Sequence, residues 1–197
     1  MLSRTIRVAA MFAALLTCQA MAMEAGSIPC GGLVISQETY ASDGVLVARP
    51  SALDETILDF IRDNCIYSLR DYTTWLKNNT LYIKDSGLDQ LTPPAEMLKL
   101  KRGDCEDYAF LNAAVLKVLG YEPRTLSVGP HRPNHAICAF RKDGRYYWLD
   151  NAILKETPAK DLRDFAKFLR TGYNYSYVGG IKMDLASRKV LFSGIIA

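Results

Sequence analysis

Between residues 53 and 119, apolar residues recur at the spacing of amphipathic helices. The apolar face of the first helix is formed by Leu53, Ile57, Phe60 and Ile61. Further helices are predicted at Ser68–Lys77, Ala95–Lys101 and Cys105–Leu119. Asn78-Asn79 is predicted to end the second of them, and Gly120 follows the last as a C-terminal cap. Because this last helix is apolar on almost every face, we expect it to be central and buried.

After Pro123 the pattern changes to a period of two, which is typical of strands with one buried face. Strands are predicted at Arg124–Val128, His135–Arg141, Arg145–Asp150, Tyr175–Met183 and Lys189–Phe192. One helix interrupts them, Ala159–Arg170, with Thr157 as its N-cap and Pro158 at its first position. Since helices come first and antiparallel strands later, the predicted fold class is α+β.

The N-terminal residues have the three parts of a secretory signal peptide. Arg4 and Arg7 precede an apolar run, Val8–Leu16, that is too short to span a bilayer, and Ala20-Met21-Ala22 is a small-residue cleavage pattern. The predicted organisation is a signal peptide at 1–22, an N-terminal extension at 23–52 and one folded domain at 53–197. The alternative is that the first residues form an amphipathic helix of the folded domain.

Cys18 leaves an alternative to soluble export. A lipid-modified cysteine directly after the apolar run would anchor the protein to a membrane. The preceding residue, Thr17, fits such a signal less well than Gly, Ala or Ser. We therefore expect soluble export, and after the predicted cleavage no stretch is long and apolar enough to cross a membrane.

The charge balance excludes one broad class of partner. The chain carries 24 Lys and Arg against 21 Asp and Glu, and removal of Arg4 and Arg7 with the leader lowers the formal net charge from +3 to +1. No dense basic run offers a surface for nucleic acid. The length of 197 residues and the hydrophobic content of 49% suit a globular protein with one domain.

Export would place the remaining cysteines in an oxidising compartment. A disulfide between Cys30 and Cys65 is then plausible. The alternative is that Cys65 ends a helix as a small buried hydrophobic residue.

Cys105 stands at the start of the central helix. Asp104 is a good N-cap, and Asp107 suits a capping box. At this position the unpaired backbone N–H groups and the helix dipole favour a thiolate, by about 0.3–1 kcal/mol. The carboxylates of Asp104, Glu106 and Asp107 oppose it. A nucleophilic Cys105 therefore needs a histidine partner; the alternative is an inert buried cysteine.

The chain has only two histidines, and the strand pattern selects His135. If Asp143-Gly144 is a two-residue turn, counting outwards along its two strands places Asp150 opposite Ile137. His135 is then a diagonal neighbour of Asp150 on the same face, within reach of a side-chain hydrogen bond. Cys138 points to the opposite face and is predicted to be a core residue.

His131 and His135 have the i, i+4 spacing of two metal ligands on a helix. Pro130 and Pro133 exclude that helix, so metal catalysis is not expected. His131 is instead predicted to lie in a loop near the mouth of the site.

Cys105, His135 and Asp150 supply a nucleophile, a base and an orienting carboxylate, and the segments around them resemble a known family. The segments are Arg102-Gly103-Asp104-Cys105-Glu106-Asp107-Tyr108-Ala109, Asn134-His135-Ala136 and Trp148-Leu149-Asp150-Asn151. They resemble the transglutaminase-like superfamily, most closely its bacterial transglutaminase-like cysteine proteinases. The resemblance is densest over residues 93–152. It implies a papain-like core with Cys105 as nucleophile, His135 as general base and Asp150 as orienting group.

The resemblance also bears on location and calcium. Some periplasmic members of that branch are calcium-dependent proteinases that release surface adhesins, and Asp104 and Glu106 match their calcium-binding positions. It therefore implies export to the bacterial periplasm and makes these two residues candidate calcium ligands. Two nearby carboxylates are too few for calcium, which takes six to eight oxygen ligands, so no cofactor is expected. Asp104 then only caps the helix and Glu106 is solvated, and calcium binding is the alternative. In related transglutaminases an upstream tryptophan supplies an oxyanion donor, but the surroundings of Trp75 do not match, so Trp75 is predicted to be core.

Three functions remain open. The first is an exported thiol hydrolase that cleaves peptide or isopeptide bonds through an acyl-thioester on Cys105. The second resolves the same thioester with an amine and crosslinks proteins. The third is a non-catalytic exported binding module of the same fold, against which the intact set of Cys105, His135 and Asp150 argues.

Overall fold

The computed structural model describes residues 52–85 and 90–196. The predicted signal peptide, almost all of the predicted extension, Cys18 and Cys30 lie outside these residues. Four helices come first: α1 (Ala52–Asp63), α2 (Leu69–Asn79), α3 (Pro94–Leu100) and α4 (Cys105–Val118). Two short strands, β1 (Leu81–Tyr82) and β2 (Arg102–Gly103), pair in parallel just before α4. No helix in the described part of the chain is both long and apolar enough to span a membrane.

The second half forms one antiparallel sheet of six strands, in the order β6-β5-β4-β3-β7-β8. The strands are β3 (Arg124–Gly129), β4 (His135–Lys142), β5 (Arg145–Asp150), β6 (Ile153–Glu156), β7 (Tyr177–Asp184) and β8 (Lys189–Ile195). Helix α5 (Leu162–Tyr173) connects β6 to β7. The α+β class is confirmed, with helices on both faces of the sheet.

Each face of the sheet buries its own core. Against the first four helices lie Cys138, Phe140 and Leu149, packed with Leu111 and Leu116 of α4. Against α5, the alternate sheet residues Ile137, Ala139 and Trp148 pack with Phe165 and Leu169. The alternation along β4 explains why Cys138 is fully buried on the face opposite His135.

Several predicted element boundaries differ from the structure, and local contacts explain two of them. Helix α5 begins at Leu162 rather than Ala159, because the Tyr146 N–H donates to the Ala159 carbonyl and holds that segment beside the sheet. The Thr157 hydroxyl accepts from the Ala159 N–H inside this turn, and Asp161 is the actual N-cap. Helix α2 runs on through Asn79, since Thr80 forms its C-cap.

The described part of the chain contains both disulfide-bonded and free cysteines. Cys65 is disulfide-bonded, whereas Cys105 and Cys138 are free thiols. Cys30, the predicted partner of Cys65, lies outside the described residues, so this pairing stays a prediction.

Candidate active site

The start of α4 is fixed by buried carboxylates. Asp104 is the N-cap, and Asp107 completes a capping box by accepting from the Asp104 N–H at 3.2 Å. Asp107 also accepts from the Thr92 N–H at 2.6 Å. Burial raises the pKa of Asp107 to about 6, against these two hydrogen bonds that lower it. Gly103 leaves room for this packing, because a Cβ there would lie 2.7 Å from the Asp107 carboxylate.

Cys105 follows at the first position of α4 and is half-buried. Its thiol donates to Glu106 Oε2 at 3.1 Å, and the Ala136 N–H donates to its sulfur. Burial, the Glu106 hydrogen bond and the charges of Glu106 and Asp104 raise the pKa of Cys105 to about 12, and only the Ala136 N–H lowers it appreciably. Burial and the nearby carboxylates therefore outweigh the effect of the helix N-terminus, and the neutral thiol is the favoured form.

The loop before β4 brings His135 to the same place. Gly129 ends β3 where a Cβ would overlap the Arg132 carbonyl oxygen and approach Asn134 Oδ1, so the loop is as tight as glycine allows. The Asn134 N–H closes it by donating to the Val128 carbonyl at 3.1 Å. His135 is the first residue of β4, next to the backbone N–H that reaches the Cys105 sulfur.

His135 and Asp150 are hydrogen-bonded. The distance from His135 Nε2 to Asp150 Oδ1 is 2.8 Å. The predicted register is confirmed, since β4 pairs with β5 from Lys142↔Arg145 through Cys138↔Leu149. With Nε2 engaged by the carboxylate, Nδ1 is the ring nitrogen available to another group.

The sequence analysis missed Lys155, which also contacts Asp150. Its Nζ lies 2.7 Å from Asp150 Oδ2. Burial would raise the pKa of Asp150, but the hydrogen bonds and charges of His135 and Lys155 outweigh it and lower the pKa to about 2. The missing element was β6: Trp148 pairs with Lys155, so Lys155 is a diagonal neighbour of Asp150. The sequence signal for this hairpin was Asn151, which adopts a φ of 53° and starts the two-residue turn between β5 and β6.

A cavity of about 240 Å³ joins the thiol and the imidazole. Its mainly apolar wall comes from the loop before β4 and from strands β7 and β8. The lining residues are Cys105, Glu106, Ser127, Pro133, Asn134, His135, Ala136, Ile181, Val190 and Phe192. An acyl group that enters this cavity would lie beside both the Cys105 thiol and the His135 imidazole.

Two other predicted residues lie where expected. Trp75 packs edge-on against Phe60, with ring centroids 4.6 Å apart, and donates to Asn64 Oδ1 at 3.0 Å, so it belongs to the helical core. His131 is exposed in the loop between β3 and β4. Tyr82, unlike Trp75, is an aromatic residue close to Cys105. It pairs opposite Gly103 and stacks on Tyr108.

The predicted calcium site at Asp104 and Glu106 is not supported by its donor set. One ligand atom from each of Asp104, Cys105 and Glu106 lies within 4.8 Å of the others. Calcium takes six to eight oxygen ligands, whereas this cluster offers two carboxylates and a thiol that is hydrogen-bonded to one of them. These residues alone do not fit the ion, and calcium binding stays an untested alternative.

The family model for a transglutaminase-like domain, DUF553, matches residues 48–176. The chain belongs to this transglutaminase-like family. The superfamily resemblance predicted from the motifs is thereby confirmed.

Two curated relatives of this transglutaminase-like chain carry the name UPF0252 protein. The one from Pyrococcus horikoshii is 25% identical over 123 residues, and the one from Archaeoglobus fulgidus is 28% identical over 123 residues. The alignments cover 61% and 59% of this chain but 39% and 38% of the relatives, so the chain spans less than two fifths of their length.

Among solved structures, a candidate cysteine protease from Cytophaga hutchinsonii aligns with a TM-score of 0.42 at 21% identity. The alignment covers 53% of this chain and 39% of that protein.

Proposed function

We propose that this protein is an exported thiol hydrolase that cleaves peptide or isopeptide bonds through an acyl-thioester on Cys105. His135 is the general base and Asp150 its orienting group. The observation that carries the proposal is the hydrogen bond of 2.8 Å between His135 and Asp150, beside a cavity that both His135 and Cys105 line. Membership of the transglutaminase-like family adds to it.

The first half of the reaction forms the thioester. His135 Nδ1 takes the thiol proton while the Cys105 sulfur attacks the carbonyl carbon of the substrate. The backbone N–H of Cys105, at the start of α4, donates to the developing oxyanion. The carbon–nitrogen bond then breaks, and the imidazolium returns its proton to the leaving amine.

The second half consumes the thioester. His135 removes a proton from water as the water oxygen attacks the thioester carbonyl. The carbon–sulfur bond breaks, the acid product leaves, and the proton returns to the Cys105 sulfur. Asp150 holds the imidazole by Nε2 throughout and stabilises its protonated form.

The resting thiol is neutral, and this makes the base essential. With the pKa of Cys105 at about 12, very little thiolate is present at neutral pH. Proton transfer to His135 must therefore accompany the attack, and we expect general-base behaviour rather than a preformed ion pair.

Burst kinetics with p-nitrophenyl acetate test the proposal. The native protein should release a burst of nitrophenolate and carry an acetyl group on Cys105, detected by peptide mass spectrometry. His135→Ala should slow the burst by about 100-fold or more, the usual contribution of a general base. Cys105→Ala should abolish it, and Cys138→Ala, the matched control, should leave it intact.

Two results would reject the proposal. One is a burst that persists in Cys105→Ala. The other is an acylation rate that does not respond to His135→Ala.

The fate of the thioester is a separate question for the same assay. Hydrolysis predicts that a fluorescent primary amine added during turnover is not incorporated into a glutamine-containing protein such as casein. Incorporation would replace the hydrolase by a crosslinking acyltransferase. The abundance of exported proteins in cells carrying Cys105→Ala, compared with the native protein, would identify the substrate.

Export is the part of the proposal that rests on the first 22 residues. The intact mass of the protein recovered from the periplasm of its bacterial host should correspond to cleavage after Ala22. A lipid adduct on Cys18 would replace soluble export by membrane anchoring.

A further inference from the structure

Asp150 holds two nitrogen partners, one on each carboxylate oxygen. His135 Nε2 lies 2.8 Å from Oδ1, and Lys155 Nζ lies 2.7 Å from Oδ2. The three residues come from the adjacent strands β4, β5 and β6, whose register makes both contacts diagonal. The carboxylate that orients the imidazole is therefore shared with an ammonium group.

Aromatic rings hold Lys155 in this position. Its Nζ lies 5.6 Å from the centroid of the Trp148 ring and 4.9 Å from that of Tyr173, both within cation–π range. These rings also contact each other edge-on at 5.3 Å. The Lys155 side chain is 27% exposed. Such a caged pair differs from a solvated surface ion pair, whose geometry fluctuates and which contributes little.

We propose that Lys155 sets the basicity of His135 by drawing on the negative charge of Asp150. The inference rests on the proposed function, in which His135 is the base. Lys155 touches no reacting atom and acts through Asp150, so it is a positioning residue.

The sign of the effect follows from charge. An opposite charge nearby favours an ionised group, and a like charge disfavours it. Asp150 stabilises the imidazolium of His135. Lys155 offsets part of that stabilisation and adds a positive charge of its own, so it opposes protonation of the imidazole beside Asp150.

The other groups around the pair stay constant in the test. Cys105 and Glu106 of α4 line the cavity with His135, and the phenols of Tyr173 and Tyr175 lie near Lys155. Burial raises the pKa of the Tyr175 phenol above its usual range, so this phenol is neutral near pH 7. The Glu106 carboxylate is common to all variants, and replacing Cys105 with Ala removes the titrating thiol.

The experiment is an NMR titration of the imidazole signals in the full chain carrying Cys105→Ala. With only two histidines, His131→Gln assigns the His135 signal. Lys155→Met should raise the pKa of His135 by about one unit, a tenfold change in proton affinity. Lys155→Arg should restore the native value, and Lys160→Met, at an exposed lysine in the same connection, should leave it unchanged.

An unchanged or lowered pKa of His135 in folded Lys155→Met would overturn the inference, as would an Arg variant that behaves like the Met variant. Lys155→Gln provides a second neutral variant if the Met variant does not fold. The titration needs no turnover, so its outcome is independent of the acylation test. A failure of the proposed function would appear as acylation that ignores His135.

Discussion

The two free thiols of the described chain, Cys105 and Cys138, lie in very different surroundings. Cys138 is fully buried among apolar side chains between the sheet and the helices. Cys105 is half-buried, with its sulfur in hydrogen bonds to Glu106 and the Ala136 backbone. Burial raises the pKa of both thiols, that of Cys105 to about 12 and that of Cys138 further.

Resting acidity therefore does not distinguish a candidate nucleophile from a core residue here. Both thiols are neutral at pH 7. What separates them is the cavity that Cys105 shares with His135, which can take a proton during attack. Cys138 does not line that cavity, and its side chain points to the opposite face of β4 from His135.

Alkylation by iodoacetamide under native conditions tests most directly whether the two thiols differ in reactivity. Cys105 should react at least about 100-fold faster than Cys138, because general-base assistance of that size is available only to Cys105. Peptide mass spectrometry after timed quenching measures both rates. In 6 M guanidinium chloride the difference should vanish. Similar native rates would show that the two environments are equivalent.

Stability should separate the two thiols in the opposite direction. Cys138→Ser introduces a hydroxyl into an apolar core and should lower the free energy of unfolding by about 2 kcal/mol. Cys105→Ser should cost less than about 1 kcal/mol, since its site is polar and half-open. Urea denaturation followed by circular dichroism measures both values. Equal losses would contradict the assignment of Cys138 to the core.

Acid titration sharpens the contrast, because only the Cys105 site includes a strongly perturbed ion pair. The pKa of Asp150 is about 2 in the fold against an ordinary value of 3.8. Between these values the unfolded chain binds more protons, so this contribution to stability is lost as pH falls from about 4 to 2. It amounts to about 2 kcal/mol.

Asp150→Asn should remove this part of the pH dependence. Urea midpoints measured from pH 2 to pH 5 provide the check. Cys138→Ser should keep the native pH dependence, although its stability is lower throughout. Identical pH dependence in native protein and Asp150→Asn would refute the ion-pair contribution.

The smallest effect concerns Glu106. Glu106→Gln removes a carboxylate that accepts the thiol proton and repels the thiolate, so the pKa of Cys105 should fall by about one unit. Rates of iodoacetamide alkylation against pH, in calcium-free buffer, measure the shift. Glu122→Gln, at an exposed position, is the matched control. A pKa that stays in place would mean that burial alone sets it.

Much of the candidate site could be predicted because it depends on local rules. The Asp143-Gly144 turn sets the register of β4 and β5, and that register decides whether His135 and Asp150 share a face. Cys105 could be placed by the capping pattern that begins at Asp104. Both inferences use neighbours along the chain or across one hairpin.

The rest depends on tertiary contacts that leave little trace in sequence. Ile153–Glu156 has four residues with no fully buried position, so its alternation is too weak to predict β6 or the place of Lys155. The start of α5 was misplaced because the Ala159 carbonyl is held by Tyr146, a contact with another strand. The acidity of Cys105 could not be fixed either, because it depends on how deeply the sulfur is buried.

The meander β4-β5-β6 also has a consequence for how the chain folds. His135 and Asp150 are 15 residues apart, and Asp150 and Lys155 are five apart, so both contacts close short loops at little entropic cost. Cys105 lies far upstream, on a helix that must dock against β4 before its sulfur meets the Ala136 N–H. The His135 imidazole and its two partners can thus assemble as a local unit, and the Cys105 thiol joins them only when the helical layer packs against the sheet.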